Sequence, residues 1–359
     1  MNRQHLLIGL AAFVLLTACT PQTRKDVNTY TDFPQTVELR AEMVPIDTAL
    51  FRYAFRIRTQ GDTVVVMDLH GADHFFHAFL GEGLDYLSSF GKRGEAPTEV
   101  ISAENIRLYP DGWWTLDSGK RKLSRLNASN RWTQPVEEVT LDEKNILRPL
   151  DFTRDEKGRF LIPDYSGEAR FCLANDEGQL LQRLGTIPTT NEEALLNARP
   201  ALAQAWRSFI DYNPANGLLV AATQLGEVLE IYNLRDSTHI VCMGPNGEPQ
   251  FQVSQGYGIP TGIMGFGDVQ VTDRAIYAVF SGRTFKELMQ SAQQGKDLPD
   301  GGRYLYVFSL QGKPLLRYTL DRHISGFHVE EEKGVIWATD VNQDQPVCRF
   351  RIKGGVGGL

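Results

Sequence analysis

The chain has 359 residues, 42% hydrophobic and 23% charged, with a formal net charge of −7. That apolar content excludes a disordered chain, no run of about 18 apolar residues offers a membrane-spanning helix, and 4 Cys are too few for a disulfide scaffold. An acidic chain without clustered Lys and Arg carries no electrostatic footprint for DNA or RNA, which excludes nucleic acid as a partner.

In chain order, the first feature is a leader. Arg3 supplies a positive start, and Leu6 to Leu16 form an apolar run that is too short for a bilayer span but fits a secretory signal. It ends in Leu16-Thr17-Ala18-Cys19, which resembles a bacterial lipobox and implies removal of residues 1–18 with lipid attached at Cys19. Removal takes away Arg3 and no acid, so the mature chain is more acidic still. Acyl chains contribute about 0.8 kcal/mol per buried CH₂, so several of them anchor stably. Residues 19–34 are polar, begin just before Pro21 and end at Pro34, and read as a flexible tether. The glycine-rich residues 354–359 read as a flexible tail. Cys172, Cys242 and Cys348 each have an apolar neighbour and are expected as small buried hydrophobes.

The body repeats itself. Gly61 to Asp68, Gly158 to Asp164, Gly217 to Thr223 and Gly334 to Asp340 share one layout, with Gly112 to Asp117 a shorter version: a turn glycine, a β-rich run, then Asp or Thr. Asp164 to Gly185 and Thr223 to Gly244 are equally spaced, and Asp68 to Gly91 nearly so. Val64–Met67, Phe160–Ile162, Leu218–Ala222, Ile276–Phe280 and Val335–Trp337 are apolar at consecutive positions, as strands covered on both faces are. Counting blades of four antiparallel strands, a to d, gives units at about 51–91, 103–141, 149–185, 206–244 and 264–320, followed by a three-stranded unit at 323–353. Val37, Leu39, Ala41 and Met43 alternate with polar residues and supply a strand that closes the last blade. The expectation is an all-β, six-bladed β-propeller over residues 35–353, since ring closure leaves only short, protected edges.

Ser89-Phe90-Gly91-Lys92-Arg93-Gly94-Glu95-Ala96-Pro97 resembles the blade-end signature of NHL-type six-bladed propellers. With the lipobox, Gly267-Asp268-Val269 and Tyr277 to Arg283, the chain from about Phe33 resembles the TolB-like six-bladed β-propeller lipoproteins typical of Bacteroidetes. The resemblance implies the fold and an envelope location, and no established activity.

In a propeller the b–c loops and the d-to-a connections emerge on one face. The repeated Asp68, Asp117, Asp164 and Asp340 end strand b, where a carboxylate either caps the turn backbone or joins a ring of cation ligands. Two insertions fall on this face. In one, Thr190 to Glu193 opens as a capping box, and Leu202, Ala205, Trp206 and Phe209 follow helical spacing; in the other, Thr284 and Glu287 form a capping box ahead of Phe285, Leu288, Met289 and Ala292. Either insertion packs on the rim or acts as a lid. Binding residues concentrate on such loops, and the candidate ligand-binding set is Arg93, Asp68, Asp164, Tyr257, Asp268 and Arg283. His70, His74 and His77 tempt as a metal cluster, but His74 and His77 point to opposite faces of a strand. No GxSxG elbow, HExxH helix or P-loop occurs, so no catalytic residue or metal ligand is assigned and the cofactor stays open. The expected function is non-catalytic: a lipid-anchored envelope protein, in the outer membrane, whose top face binds a small molecule or an envelope protein. The alternative is a metal-dependent hydrolase or lactonase using channel carboxylates.

Overall fold

The computed structural model describes residues 25–46, 51–127 and 134–352. The leader 1–18, Cys19 and the tail 354–359 lie outside the described residues.

Six four-stranded antiparallel blades form a ring, at residues 54–92, 103–140, 153–184, 208–243 and 266–324, with the sixth built from Gly326–Glu330, Val335–Thr339, Val347–Arg351 and Glu42–Met43. The expected units are recovered to within about four residues, the outer strand of blade five running on to Ile324, past the expected start of the last unit at 323. Strand b of these blades carries consecutive apolar residues because each blade is sandwiched between two others: Val64 to Met67, Phe160 to Ile162 and Val335 to Trp337 are all buried. The glycine ahead of strand b recurs for a backbone reason. Gly158 and Gly334 take φ of 77° and 62°, a region that residues with a Cβ avoid.

The last blade is closed by the N-terminal segment, as expected, but with only two residues: Met43 pairs with Cys348 and Glu42 with Arg349. The rest of the alternating stretch serves another blade. Thr36–Leu39 lies parallel to the outer strand Pro314–Ile324 of blade five, and Lys25–Thr29 lies parallel to the outer strand Thr238–Met243 of blade four. Residues 25–34, expected as part of a free tether, are therefore docked. Tyr30 and Phe33 are the reason. They are buried between blades four and five, with Phe33 4.4 Å from the Tyr306 ring and Tyr30 5.4 Å from that of Phe308. The Tyr30 hydroxyl donates to Glu227 Oε1 at 3.1 Å.

Among the described residues three α-helices break the all-β pattern: α1 (Glu192–Asn197), α2 (Arg199–Ala205) and α3 (Phe285–Gln293). The N-cap of α1 is Asn191, one residue later than the expected box, its side chain accepting from Ala194 N–H. Pro200 sits in the first turn of α2 and explains the break, because proline is tolerated there and not in a helix interior. The helix ends at Trp206, so Phe209, expected on the helical stripe, lies in the innermost strand of blade four. Buried Leu202, Ala203 and Ala205 seat α2 on Val228 and Val241. The capping box of α3 is present as expected, yet none of its residues is buried.

Candidate functional site

The aspartates at the ends of the b strands are clamps. Asp68 accepts from Arg52, Tyr53 and His70 N–H at 2.8–3.0 Å, tying the connection from blade six to the b–c turn of blade one. Asp117 repeats the arrangement with Ile101, Ser102, Gly119 and Lys120. Asp164 holds Ser166 and Ala169 N–H and the Arg183 guanidinium. These carboxylates are buried and their acceptor sites are occupied, so Asp68 and Asp164 are structural rather than exposed to a ligand.

The channel is filled. The a strands, with Asp151 just ahead of that of blade three, bring together Arg56, Arg58, Arg107, Asp151, Asp211 and Asp268, three charges of each sign. Arg58 grips Asp268 with both ends of its fork, at 3.1 and 3.2 Å, and Arg56 Nε lies 3.6 Å from the same carboxylate. Burial alone would raise the Asp268 carboxyl, but Arg56 and Arg58 outweigh it and hold it below the usual range. Arg107 donates to Asp211 at 2.7 Å, to Asp151 at 3.2 Å and to the Phe152 carbonyl at 3.0 Å. The carboxylates also accept backbone N–H groups of the next blade: Ile210 to Asp151, Val271 to Asp211, Phe327 to Asp268. Within this plug the Arg56 guanidinium lies against the Phe55 and Phe209 rings, 3.9 and 4.4 Å from their centroids. Desolvation pushes Arg56 down to about 10 despite Asp268. Asp268, expected to face a ligand, is thus the hub of the plug.

The remaining candidates lie on the top face and are not gathered into one group. Arg93, exposed, donates to the Gly71 carbonyl at 3.2 Å and lies over Phe75, which holds the blade-one connection. Tyr257, 58% exposed, projects from the hairpin Phe251–Ser254/Tyr257–Pro260. Arg283 reaches the Gly301 carbonyl at 3.4 Å. The loop after α3 extends across the ring, where Asp300 accepts from Tyr53 of the blade-one entry at 3.0 Å and exchanges two hydrogen bonds with Asn342 of blade six. A second group, not legible in the sequence, surrounds a cavity of about 190 Å³ between blades three and four: Arg148, Tyr165, Gln204, Arg207 and Gln224, with Gly258 and Pro260 of the hairpin.

Residues 32–332 match the TolB-like 6-blade propeller-like family. The chain belongs to it. No curated protein matches the TolB-like chain. Among solved structures it is similar to a Bacteroides fragilis protein whose name calls it exported (10% identity, TM-score 0.58, covering 92% of this chain and 99% of that one). It is also similar to a DUF4221-family member from Bacteroides vulgatus (9%, 0.54, 88% and 97%) and to the WD40 repeats of RRP9 (9%, 0.51, 90% and 100%). At these identities the likeness establishes the fold.

The chemistry open to the TolB-like chain follows from which groups remain free. A hydrolase of the alternative reading needs channel carboxylates with lone pairs for a cation, and Asp151, Asp211 and Asp268 each have arginine partners. Among the described residues no three His, Cys, Asp or Glu are arranged to hold a metal. His77 is buried with Nδ1 2.8 Å from Ser89 Oγ, and His70 packs edge-on to Tyr53. Cys172, Cys242 and Cys348 are buried, and burial raises each thiol to about 12, which leaves no thiolate for catalysis.

Proposed function

We propose that the chain is a lipid-anchored protein of the cell envelope whose top face binds a small ligand or a partner protein and does no chemistry on it. The observation that carries this reading is the asymmetry of the molecule. The channel is closed by matched charges, whereas one face bears three helices and a hairpin with exposed Leu196, Val253, Tyr257, Ile259 and Met289. A rigid scaffold that elaborates the loops of one face presents a recognition surface. The anchor rests on Leu16-Thr17-Ala18-Cys19 and on an apolar run too short to span.

Two measurements test the reading. A Cys19→Ser chain should move from the membrane fraction to the soluble one, and retention in the membrane would remove the anchor. Cross-linking in intact cells should capture a partner whose yield falls when Tyr257, Ile259 and Met289 are changed together to Ser. Capture indifferent to those changes places recognition elsewhere on the molecule.

A further inference from the structure

We infer that the cavity between blades three and four is a binding site for a small oxyanion on a hydroxylated body, a sugar acid or a sugar phosphate. The inference rests on the top-face reading above and names what that face takes. The lining holds two guanidinium groups, Arg148 and Arg207, and no carboxylate, in a chain whose net charge is negative. Arg148 is exposed. Arg207 has Glu104 as its nearest acid at 3.9 Å, beyond hydrogen-bond reach, and Glu104 is itself engaged by the Ser118 hydroxyl at 2.6 Å and that of Ser102 at 3.3 Å. The donors of both arginines therefore remain available, and a planar fork suits a carboxylate or phosphate.

A second observation points to a ligand. Tyr165 lines the same cavity at 8% exposure, and its buried hydroxyl has no hydrogen-bond partner, alone among the buried side-chain polar atoms of this lining. Buried polar groups are almost always paired, so this unpaired hydroxyl is a donor still to be satisfied at the edge of the cavity. Gln204 accepts from Gly258 N–H at 3.2 Å, which fixes its amide and leaves its N–H groups as donors, and Gln224 adds both a donor and an acceptor. Such amides match hydroxyl groups. Leu150, Leu225 and Pro260 supply the apolar wall. At about 190 Å³ the cavity is smaller than the ~300–1,000 Å³ typical of drug-sized ligands, which limits the body to about one ring.

The test is calorimetric titration of the purified chain with galacturonate, galactose 1-phosphate, inorganic phosphate and neutral galactose. At least one of the two sugar anions should bind at least tenfold more tightly than galactose, and comparison of the two separates a carboxylate site from a phosphate site. Arg148→Ala and Arg207→Gln should each weaken binding by about tenfold or more, the loss expected for a hydrogen bond to a charged group. Arg274→Ala, on the opposite face and paired with Glu332, should not. Unchanged thermal midpoints without ligand show that the variants fold. Absence of heat with every anion, binding equal to that of galactose, or affinities indifferent to both arginines overturns the site. Partner capture that survives Arg148→Ala and Arg207→Gln but fails with the Tyr257, Ile259 and Met289 changes leaves the top-face reading standing without the pocket.

Discussion

At the scale of single residues, the repeated aspartate does its work by accepting backbone N–H groups. In blades one and two the offsets are identical: Asp68 takes the N–H groups 16 and 15 residues before it, and Asp117 does the same. Asp68→Ala would remove the acceptor of three backbone donors at once, and a loss of about 3 kcal/mol in urea unfolding is expected, with Asp68→Asn losing less because one oxygen is kept. A loss under about 0.5 kcal/mol would deny the clamp. The histidines set a pH dependence. Burial pushes His77 down to about 4 and His328 down to about 3, below their value in the unfolded chain. As pH falls below about 6.5 the unfolded state takes up protons that the folded state refuses, so stability declines by about 1.4 kcal/mol per pH unit for each histidine until its folded value is reached. Unfolding at pH 7 and pH 4.5 should show the decline, and His77→Asn should shrink it. The sequence marked the aspartates by position but left capping and cation binding both open, since the spacing suits either. Arg148 and Arg207 carried no signal at all: each is a lone arginine in a connection, and only the fold brings them together.

At the scale of elements, the N-terminal segment is the part that the sequence described least well. Period-two alternation from Val37 to Met43 revealed a strand, but not that Thr36–Leu39 and Glu42–Met43 serve different blades. Which edge a strand joins depends on outer strands contributed about 200 to 300 residues later, which local pattern does not encode. Polar composition suggested a tether over 19–34, and the signal against it was a pair of aromatics, Tyr30 and Phe33. Phe33→Ala should cost about 3 kcal/mol, as large-to-small changes in a packed cluster do, and should expose the segment 25–34 to protease. Intact resistance in that variant would mean that the outer strands dock without the aromatic seat. Helix α3 behaves differently. Thr284→Ala removes the side-chain half of its capping box, the hydroxyl that accepts from Glu287 N–H, and should loosen the helix by about 1 kcal/mol, seen as faster amide exchange at 285–289. Global unfolding should stay where it was, because α3 buries nothing.

At the scale of the whole molecule, blade number was legible and channel content was not, for one physical reason. Five of the six blades are local: four strands within about 30 to 60 residues, separated by turns whose glycines and aspartates recur. The channel joins residues from all around the ring, with Arg58 and Asp268 210 positions apart and Arg107 and Asp211 104 apart. In each strand they look like ordinary polar alternation. The plug balances three arginines against three aspartates, and that balance sets its energetics. A buried ion pair gains little over a well-packed apolar pair, because desolvating two charges offsets their attraction, but removing one partner leaves an uncompensated charge. Arg107 is the sharpest case. Burial opposes its charge, Asp151 and Asp211 more than restore it, and its guanidinium joins blade two to blades three and four. Arg107→Met should therefore cost about 3–5 kcal/mol and broaden the transition as blades lose their common anchor. Adding Asp211→Asn should recover part of that loss, since one of the two orphaned carboxylates becomes neutral. Should the double variant prove less stable than the single by the full cost of Asp211→Asn measured alone, the two residues are not coupled, and the ring is held by the blade faces without help from its axis.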